Sequence, residues 1–344
     1  MKRNLLIQSD NIEGMKWLLK NGYEGKIDLV YIDPPFATGG TFAIDKSGRV
    51  ATISKSDESV VAYKDTLLGK DFVKWLKKRV LLIHKLLSDK GSLYLHIDYK
   101  IGHYVKVMLD EVFGINNFRN DITRIKCNPK NFDRVGYGNI KDLVLFYTKT
   151  DNPIWNKPTV KSEEKDLYKL YSKVDKNGRH YTTVPIHAPG ETKNGSTNKP
   201  FKGIYPPKGR HWRCSVEELE KLDEAGLIEW SGTGNPRKIN YADEHLNKKV
   251  QDIWDFKDPA KPSYPTEKNM EMLQMIMKAS SNEDSIVMDC FCGSGSTLKA
   301  AELCGRNWIG IDQSETAIEV TRKRFEDTDL FNSEDVRFDF VSLT

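Results

Sequence analysis

Apolar positions alternate between two rhythms along the first 118 residues: short continuous runs, and longer stretches whose apolar members recur near every 3.6 positions. Strand-helix-strand units of a parallel α/β sheet leave that alternation in a sequence. Asn4 to Asp10 reads as a short strand closed by an acid, and Asn11 to Lys20 as a helix with Ile12, Met15, Leu18 and Leu19 on one face. Ile27, Leu29, Val30, Tyr31 and Ile32 form a short hydrophobic segment with β-branched and aromatic members, which suits a strand buried on both faces. A helix over Asp71 to Leu87, a strand over Ser92 to Asp98 and a helix over Ile101 to Phe113 continue the series. After Phe118 the rhythm lapses. Ile122 to Lys126 and Asp142 to Tyr147 read as strands, but Thr150 to Gly209 is rich in Lys, Asn, Gly and Pro with little period. Within the aperiodic stretch, Ser215 and Glu218 form a capping box that opens one short helix. From Val250 order returns, with a Met-rich helix over Lys268 to Ala279 and strands over Ser285 to Phe291 and Asn307 to Asp312. The pattern predicts an α/β domain interrupted by a less regular insertion over Arg119 to Lys249.

Two corners in this pattern carry candidate chemistry. The first is Asp33-Pro34-Pro35-Phe36, placed where the Ile27 strand ends, and open α/β sheets hold their ligands at the carboxyl ends of strands. Two prolines fix φ and remove two N–H donors, so the turn is rigid and leaves carbonyls without internal partners. A rim with one carboxylate, a free carbonyl and an aromatic face can hold a planar ring bearing an amine; Asp-Pro is also a common strand breaker. The second corner is Gly293-Ser294-Gly295, between a strand and a helix opened by Ser296 and Thr297. Glycines there let a ligand approach the backbone and meet helix N–H groups. Asp312 closes the next strand nineteen residues on, a place suited to a ribose hydroxyl pair. The third glycine of G-x-G-x-x-G is absent, which disfavours a nicotinamide dinucleotide. A right-handed crossover should bring Asp10 beside Asp33, as a ligand or as a helix cap. Asp98 and His96 admit a catalytic reading, and Asp98 equally a capping one. Ala37 to Leu68 reads as a long loop placed to act as a lid.

Charge adds one fact. Arg119 to Arg213 holds 20 Lys and Arg against 9 Asp and Glu, so a chain of net +4 is −7 outside that stretch. Such asymmetry suits a polyanion, and equally a solvated Lys-rich insertion. A length of 344 residues suggests two domains. No apolar run approaches the ~20 residues of a membrane span, and the amino-terminal MKRNLLIQSDN has no signal-peptide core. Five cysteines without CxxC spacing argue against a disulfide framework or zinc site, and for a cytoplasmic protein.

DPPF near one end and DCFCGSGST near the other, in that order with a variable region between, resemble the beta group of S-adenosylmethionine-dependent DNA amino-methyltransferases, typical of adenine-N6 enzymes. Tyr63-Lys64-Asp65, GSLYLHID, FGINNFRNDI, DLVLFYTK, HWRCSVEELEKL and VQDIWDF match segments that recur there. The resemblance implies a doubly wound, Rossmann-like methyltransferase sheet, circularly permuted, with residues 1–118 as catalytic half, 119–249 as an inserted irregular target-recognition domain and 250–344 as cofactor half. It implies catalysis by Asp33, Pro34, Pro35 and Phe36. S-adenosyl-L-methionine would be held by Asp10, Thr266, Lys268, Asp289, Phe291, Gly293, Gly295 and Asp312, with no metal. Double-stranded DNA is the implied substrate, and a restriction subunit or a second copy are compatible partners. Departures are Phe36 where tyrosine is common, and Tyr264 and Asn269 where the family's His-Pro-Thr-x-Lys-Pro has His and Pro. Cys290 and Cys292 lack the Pro-Cys context of cytosine-C5 enzymes and read as packed residues. A cytosine-N4 enzyme and a non-catalytic DNA-binding subunit are the alternatives.

Overall fold

A computed structural model describes residues 4–35, 41–44, 50–52, 60–64, 69–129, 133, 135–192, 195–258, 268–326 and 338–343. In chain order the first segment comprises β1 (Asn4–Gln8), α1 (Asn11–Lys20), β2 (Ile27–Ile32), β3 (Thr41–Ile44), β4 (Val50–Thr52), β5 (Val60–Lys64), α2 (Gly69–Leu86), β6 (Leu87–Ile97), α3 (Tyr99–Phe113), β7 (Phe118–Ile125) and β8 (Lys141–Thr148). The middle contains β9 (Thr159–Lys161), α4 (Glu164–Leu170), β10 (Lys173–Val174), β11 (His180–Pro185), β12 (His187–Pro189), β13 (Arg210–Trp212), α5 (Val216–Glu224), β14 (Ile228–Trp230), β15 (Pro236–Tyr241) and β16 (Asn247–Lys249). The last segment adds β17 (Ile253–Asp255), α6 (Met270–Ser280), β18 (Ile286–Asp289), α7 (Ser296–Leu303), β19 (Asn307–Asp312), α8 (Glu315–Glu326) and β20 (Phe338–Ser342).

The chain divides into two compact units, residues 1–158 with 251–344, and residues 159–250. The first is built on a nine-stranded sheet of order β17-β7-β8-β6-β2-β18-β19-β1-β20. Its strands are parallel except where β8 runs against β6 and β7. The Ile27 strand is buried on both faces as its composition requires: Leu29, Val30 and Ile32 are fully covered. Met15 and Leu18 of α1, Leu76, Val80 and Ile83 of α2 and Val105 and Leu109 of α3 join one core with the strands. Acids at strand ends start the helices: Asp10 accepts from Ile12 N, and Asp98 accepts from Lys100 N, each at 2.9 Å. That satisfies one orphan N–H per helix.

Three expectations change. The crossover from β1 to β2 does not make Asp10 a neighbour of Asp33, because β18 and β19 from the far end of the chain lie between those strands. The break in the sheet's unit comes at Pro158 and not at Phe118. β7 and β8 pair with each other and with β6, as an antiparallel extension that needs no crossover helix. Within 37–68, read as loop, the backbone of β3 pairs antiparallel with both β4 and β5.

The second unit has its own small core of Ile186, Phe201, Trp212 and Leu219, with Leu167, Tyr171 and Ala242 clustered separately. Antiparallel β10-β11-β15-β14 form its largest sheet. The capping box at α5 is present in both directions, Ser215 to Glu218 N and Glu218 to Ser215 N. A groove of about 490 Å³ opens between Ile186, Arg213, Glu218, Lys221 and Lys238. With its observed bounds this unit carries 17 Lys and Arg against 13 Asp and Glu. The basic surplus of the middle is therefore shared with β7, β8 and the segment after them.

Candidate active site

β2 and β18 are parallel neighbours, with Leu29 opposite Val287 and Val30 opposite Met288. Asp33, one residue past β2, and Asp289, the last residue of β18, therefore leave the sheet at the same rim. β19 is the next strand, with Asp289 opposite Gly310 and Asp312 at its end. The DPPF and glycine corners, about 260 residues apart in sequence, thus lie on one rim of the sheet at neighbouring strand ends.

At the first corner the Asp33 side chain is 16% exposed and its Oδ2 lies 2.6 Å from Lys268 Nζ. Its Oδ1 is buried and accepts no hydrogen bond among the described residues. Such an oxygen costs free energy unless a ligand donor meets it. Pro34 is buried and Pro35 half-buried. Phe36 and Thr266 lie outside the described residues.

At the second corner Asp312 Oδ2 accepts from Gly293 N at 2.9 Å and Oδ1 from Ser314 N at 2.9 Å. Each oxygen keeps a lone pair for a hydroxyl. Burial raises the Asp312 carboxyl above its ordinary value, against those N–H groups. Gly295 adopts φ +75°, the left-handed region, and a Cβ there would meet Thr321 Cγ2 and Oγ1 at 2.9 Å. Thr321 Oγ1 in turn donates to Gly293 O at 2.9 Å, so α8 braces the glycine turn from below. Asp289 accepts from Phe291 N at 2.9 Å. Burial pushes its carboxyl up to about 7, with the Thr297 and Phe291 hydrogen bonds opposing and Asp33 and Asp312 adding to the rise. Phe291 is half-buried and packs against Trp75, ring centroids 5.7 Å apart. Burial raises the thiols of Cys290 and Cys292 well above their ordinary value, which suits packed residues and not nucleophiles.

Asp10 sits at the β1 end, where Ser9 N bonds Asp312 O at 2.9 Å. Its Oδ2 meets Arg79 Nη2 at 3.2 Å. Arg79, only 5% exposed, also reaches Asn11 and lies over the Trp75 ring at 3.8 Å. Neither Arg79 nor Trp75 stood out in sequence, because both fall inside the apolar period of a long helix. Behind Asp33 lies a largely buried polar group of which the sequence singled out only His96: Tyr31, His96, Asp142, Arg124 and Lys126. The one sequence signal was a histidine inside an otherwise apolar buried strand.

An α/β sheet with a glycine corner and an acidic Pro-Pro corner on one rim is the frame of a methyltransferase. The chain matches the DNA methylase family over residues 27–323. It is 41% identical over 328 residues to Type II methyltransferase M.EcaI of Enterobacter cloacae, covering 94% of this chain and 69% of that one. It belongs to this DNA methylase family. The StyLTI Mod subunit, of a Type III restriction-modification enzyme of Salmonella typhimurium, is 25% identical over 86% of this chain, which spans 49% of that protein's length. A Thermus thermophilus protein assigned as a DNA modification methylase, crystallised with S-adenosyl-L-methionine, shares the fold at TM-score 0.51 and 13% identity, over 99% of both chains. The methyl donor is S-adenosyl-L-methionine. The paired lone pairs of Asp312, the glycine corner and the unmet oxygen of Asp33 form a donor and acceptor set that fits a nucleoside beside an amine. No helix among the described residues is long and apolar enough to cross a membrane.

Proposed function

We propose that the chain methylates adenine N6 in double-stranded DNA, as a permuted, beta-group enzyme of a restriction-modification system. The reading is carried by the buried, unmet Oδ1 of Asp33 on the rim shared with the glycine corner. An exocyclic amine has two hydrogens and a lone pair delocalised into its ring. Asp33 Oδ1 and the Pro34 carbonyl accept those hydrogens, and the nitrogen moves toward tetrahedral geometry with acceptors already aimed where charge develops. Phe36 stacks on the base, which is flipped out of the duplex at a cost of a few kcal/mol. The cofactor supplies an electrophilic methyl on a sulfonium centre. Asp312 holds the ribose hydroxyls, Asp289, Phe291, Gly293 and Gly295 enclose the methionine part, and Asp10 lies at the adenine side. Lys268, which pairs with Asp33, and Thr266 serve cofactor binding as well. Holding nitrogen, methyl and leaving sulfur in line lowers the barrier without a covalent intermediate. Residues 159–250, joined by the basic stretch before them, read the target sequence. The Type II and Type III names of the relatives support modification paired with restriction, with a restriction subunit or a second copy as partner.

Adenine is favoured over cytosine because cytosine-N4 enzymes more often begin the tetrapeptide with serine. DNA from cells expressing the chain, digested to nucleosides and read by mass spectrometry, is expected to contain N6-methyladenine. Only N4-methylcytosine would transfer the reading to the other base, and neither base would point to a silent DNA-binding subunit.

A carboxyl titrating at about 7 beside a cationic sulfur gives this site a pH dependence. Below that value Asp289 is neutral, above it anionic, and a cation favours the anion. Affinity for S-adenosyl-L-methionine is expected to tighten roughly ten-fold as pH rises through this range. S-adenosyl-L-homocysteine, without charge on sulfur, should respond less. Calorimetric titration of both ligands checks this, and parallel curves would remove Asp289 from the sulfonium's surroundings.

A further inference from the structure

His96 is fully buried on β6, and three groups converge on its ring. Tyr31 Oη lies 2.9 Å from Nδ1, Asp142 Oδ2 3.3 Å from Nε2, and Asp33 Oδ1 3.8 Å from Nδ1. Burial tends to raise the Asp142 carboxyl, yet its hydrogen bond to His96 and its bond to Lys126 Nζ at 2.6 Å hold it well below the usual carboxylate range. An ionised Asp142 only accepts, so His96 Nε2 carries a proton toward it. Burial, followed by the nearby Asp33, keeps the Tyr31 phenol protonated far above its ordinary value, so Tyr31 donates to Nδ1. The imidazole is then neutral, its one Nδ1 lone pair accepting from Tyr31, with Asp33 Oδ1, which meets no donor among the described residues, 3.8 Å from the same nitrogen.

We propose that His96 takes up, through Asp33, the proton that the target amine loses on methylation. This rests on the reading that Asp33 binds that amine. The N–C bond forms as the C–S bond breaks, and the electron pair stays on sulfur. The nitrogen, now cationic, gives one proton to Asp33 Oδ1, and Asp33 passes it to Nδ1 as the Tyr31 hydroxyl rotates its own hydrogen off that nitrogen and accepts in turn. The imidazolium lies between two carboxylates, Asp33 and Asp142, and returns the proton by way of Asp33 to water once the product base leaves. His96 is thus a positioning residue that acts through Asp33. Among the described residues, Lys268 on Asp33, and Arg124 Nη1 at 3.7 Å and Lys126 on Asp142, are cations facing the pair. Asp258 partners Arg124.

Burial lowers the His96 basicity while Asp142 and Asp33 raise it and Lys268 lowers it, the net being downward. The neutral form required for uptake is therefore complete at neutral pH and is lost in acid. In the full-length protein, single-turnover methylation is expected to fall as pH drops through the imidazole's midpoint. His96→Asn keeps an N–H for Asp142 and a carbonyl for Tyr31 but cannot take a proton. It is expected to lower kcat about 10²-fold, within the range of general-base contributions, with KM for DNA and cofactor unchanged and the acid limb gone. Asp142→Asn, which removes a carboxylate that stabilises the imidazolium, should move the limb to lower pH. His96→Asn at the wild-type rate, or slower with the acid limb intact, overturns the proposal, as does an unmoved limb in Asp142→Asn. The last test stands even if His96→Asn does not fold. Turnover by Asp33→Ala in the same assay would remove the amine-binding reading itself. Silence of Asp33→Ala beside an unaffected His96→Asn would remove only the relay.

Discussion

Asp33→Ala is expected to abolish methyl transfer while S-adenosyl-L-methionine still binds. The substitution deletes the buried oxygen that accepts no hydrogen bond among the described residues and breaks the 2.6 Å pair with Lys268. It leaves β2 paired to β18, and the Asp312 hydrogen bonds to Gly293 and Ser314 involve no atom of Asp33. Loss of one preorganised group facing developing charge costs on the order of 10²–10³-fold in rate. Here the loss should be larger, because the Lys268 ammonium, without that carboxylate, remains beside an amine that is becoming positive. Asp33→Asn separates the two effects. It keeps one acceptor oxygen and the shape, so an intermediate rate is expected. Cofactor binding by calorimetry and methyl transfer from labelled donor measure both halves, and a cofactor affinity that collapses with the rate would assign Asp33 to the cofactor and not to the amine.

The two corners were legible because each ends a mostly apolar strand, and a chain buried on both faces announces itself by composition. What joins them was not legible. Placement of β18 and β19 between β2 and β1 depends on pairing across nearly the whole chain, and no local period records it. Asp10 therefore reaches the rim at the Asp312 side and not at the Asp33 side. The apparent boundary at Phe118 had a related origin. β7 and β8 are tied to β6 by antiparallel pairing, so the helices that marked every earlier strand vanish while the core continues through Leu143, Leu145 and Tyr147. His96 admitted a catalytic reading from sequence, but its role was hidden for a third reason. Its partners come from β2 and β8, and a buried histidine shows its meaning only when the acids on both sides are placed.

Trp212→Ala is expected to separate the two units functionally. Trp212 is fully buried in a four-residue cluster with Ile186, Phe201 and Leu219, and its Nε1 donates to Lys199 O at 3.0 Å. Removing an indole from a core costs roughly 3–5 kcal/mol, and the lost hydrogen bond strands a carbonyl. A unit of about 90 residues has a total stability of only ~5–10 kcal/mol, so most of its margin goes. The apolar core of residues 1–158 and 251–344 contains none of these side chains. Cofactor affinity should therefore hold near the wild-type value while sequence-specific DNA binding and site-specific methylation fall together. Thermal unfolding should resolve an early transition absent from the wild-type protein, and bound S-adenosyl-L-methionine should raise only the later one. A variant that binds its target DNA as tightly as the wild type despite that early transition would place sequence reading outside residues 159–250. The basic stretch from Arg119 to Pro158, with eight Lys and Arg against four Asp and Glu, would then be the element to test.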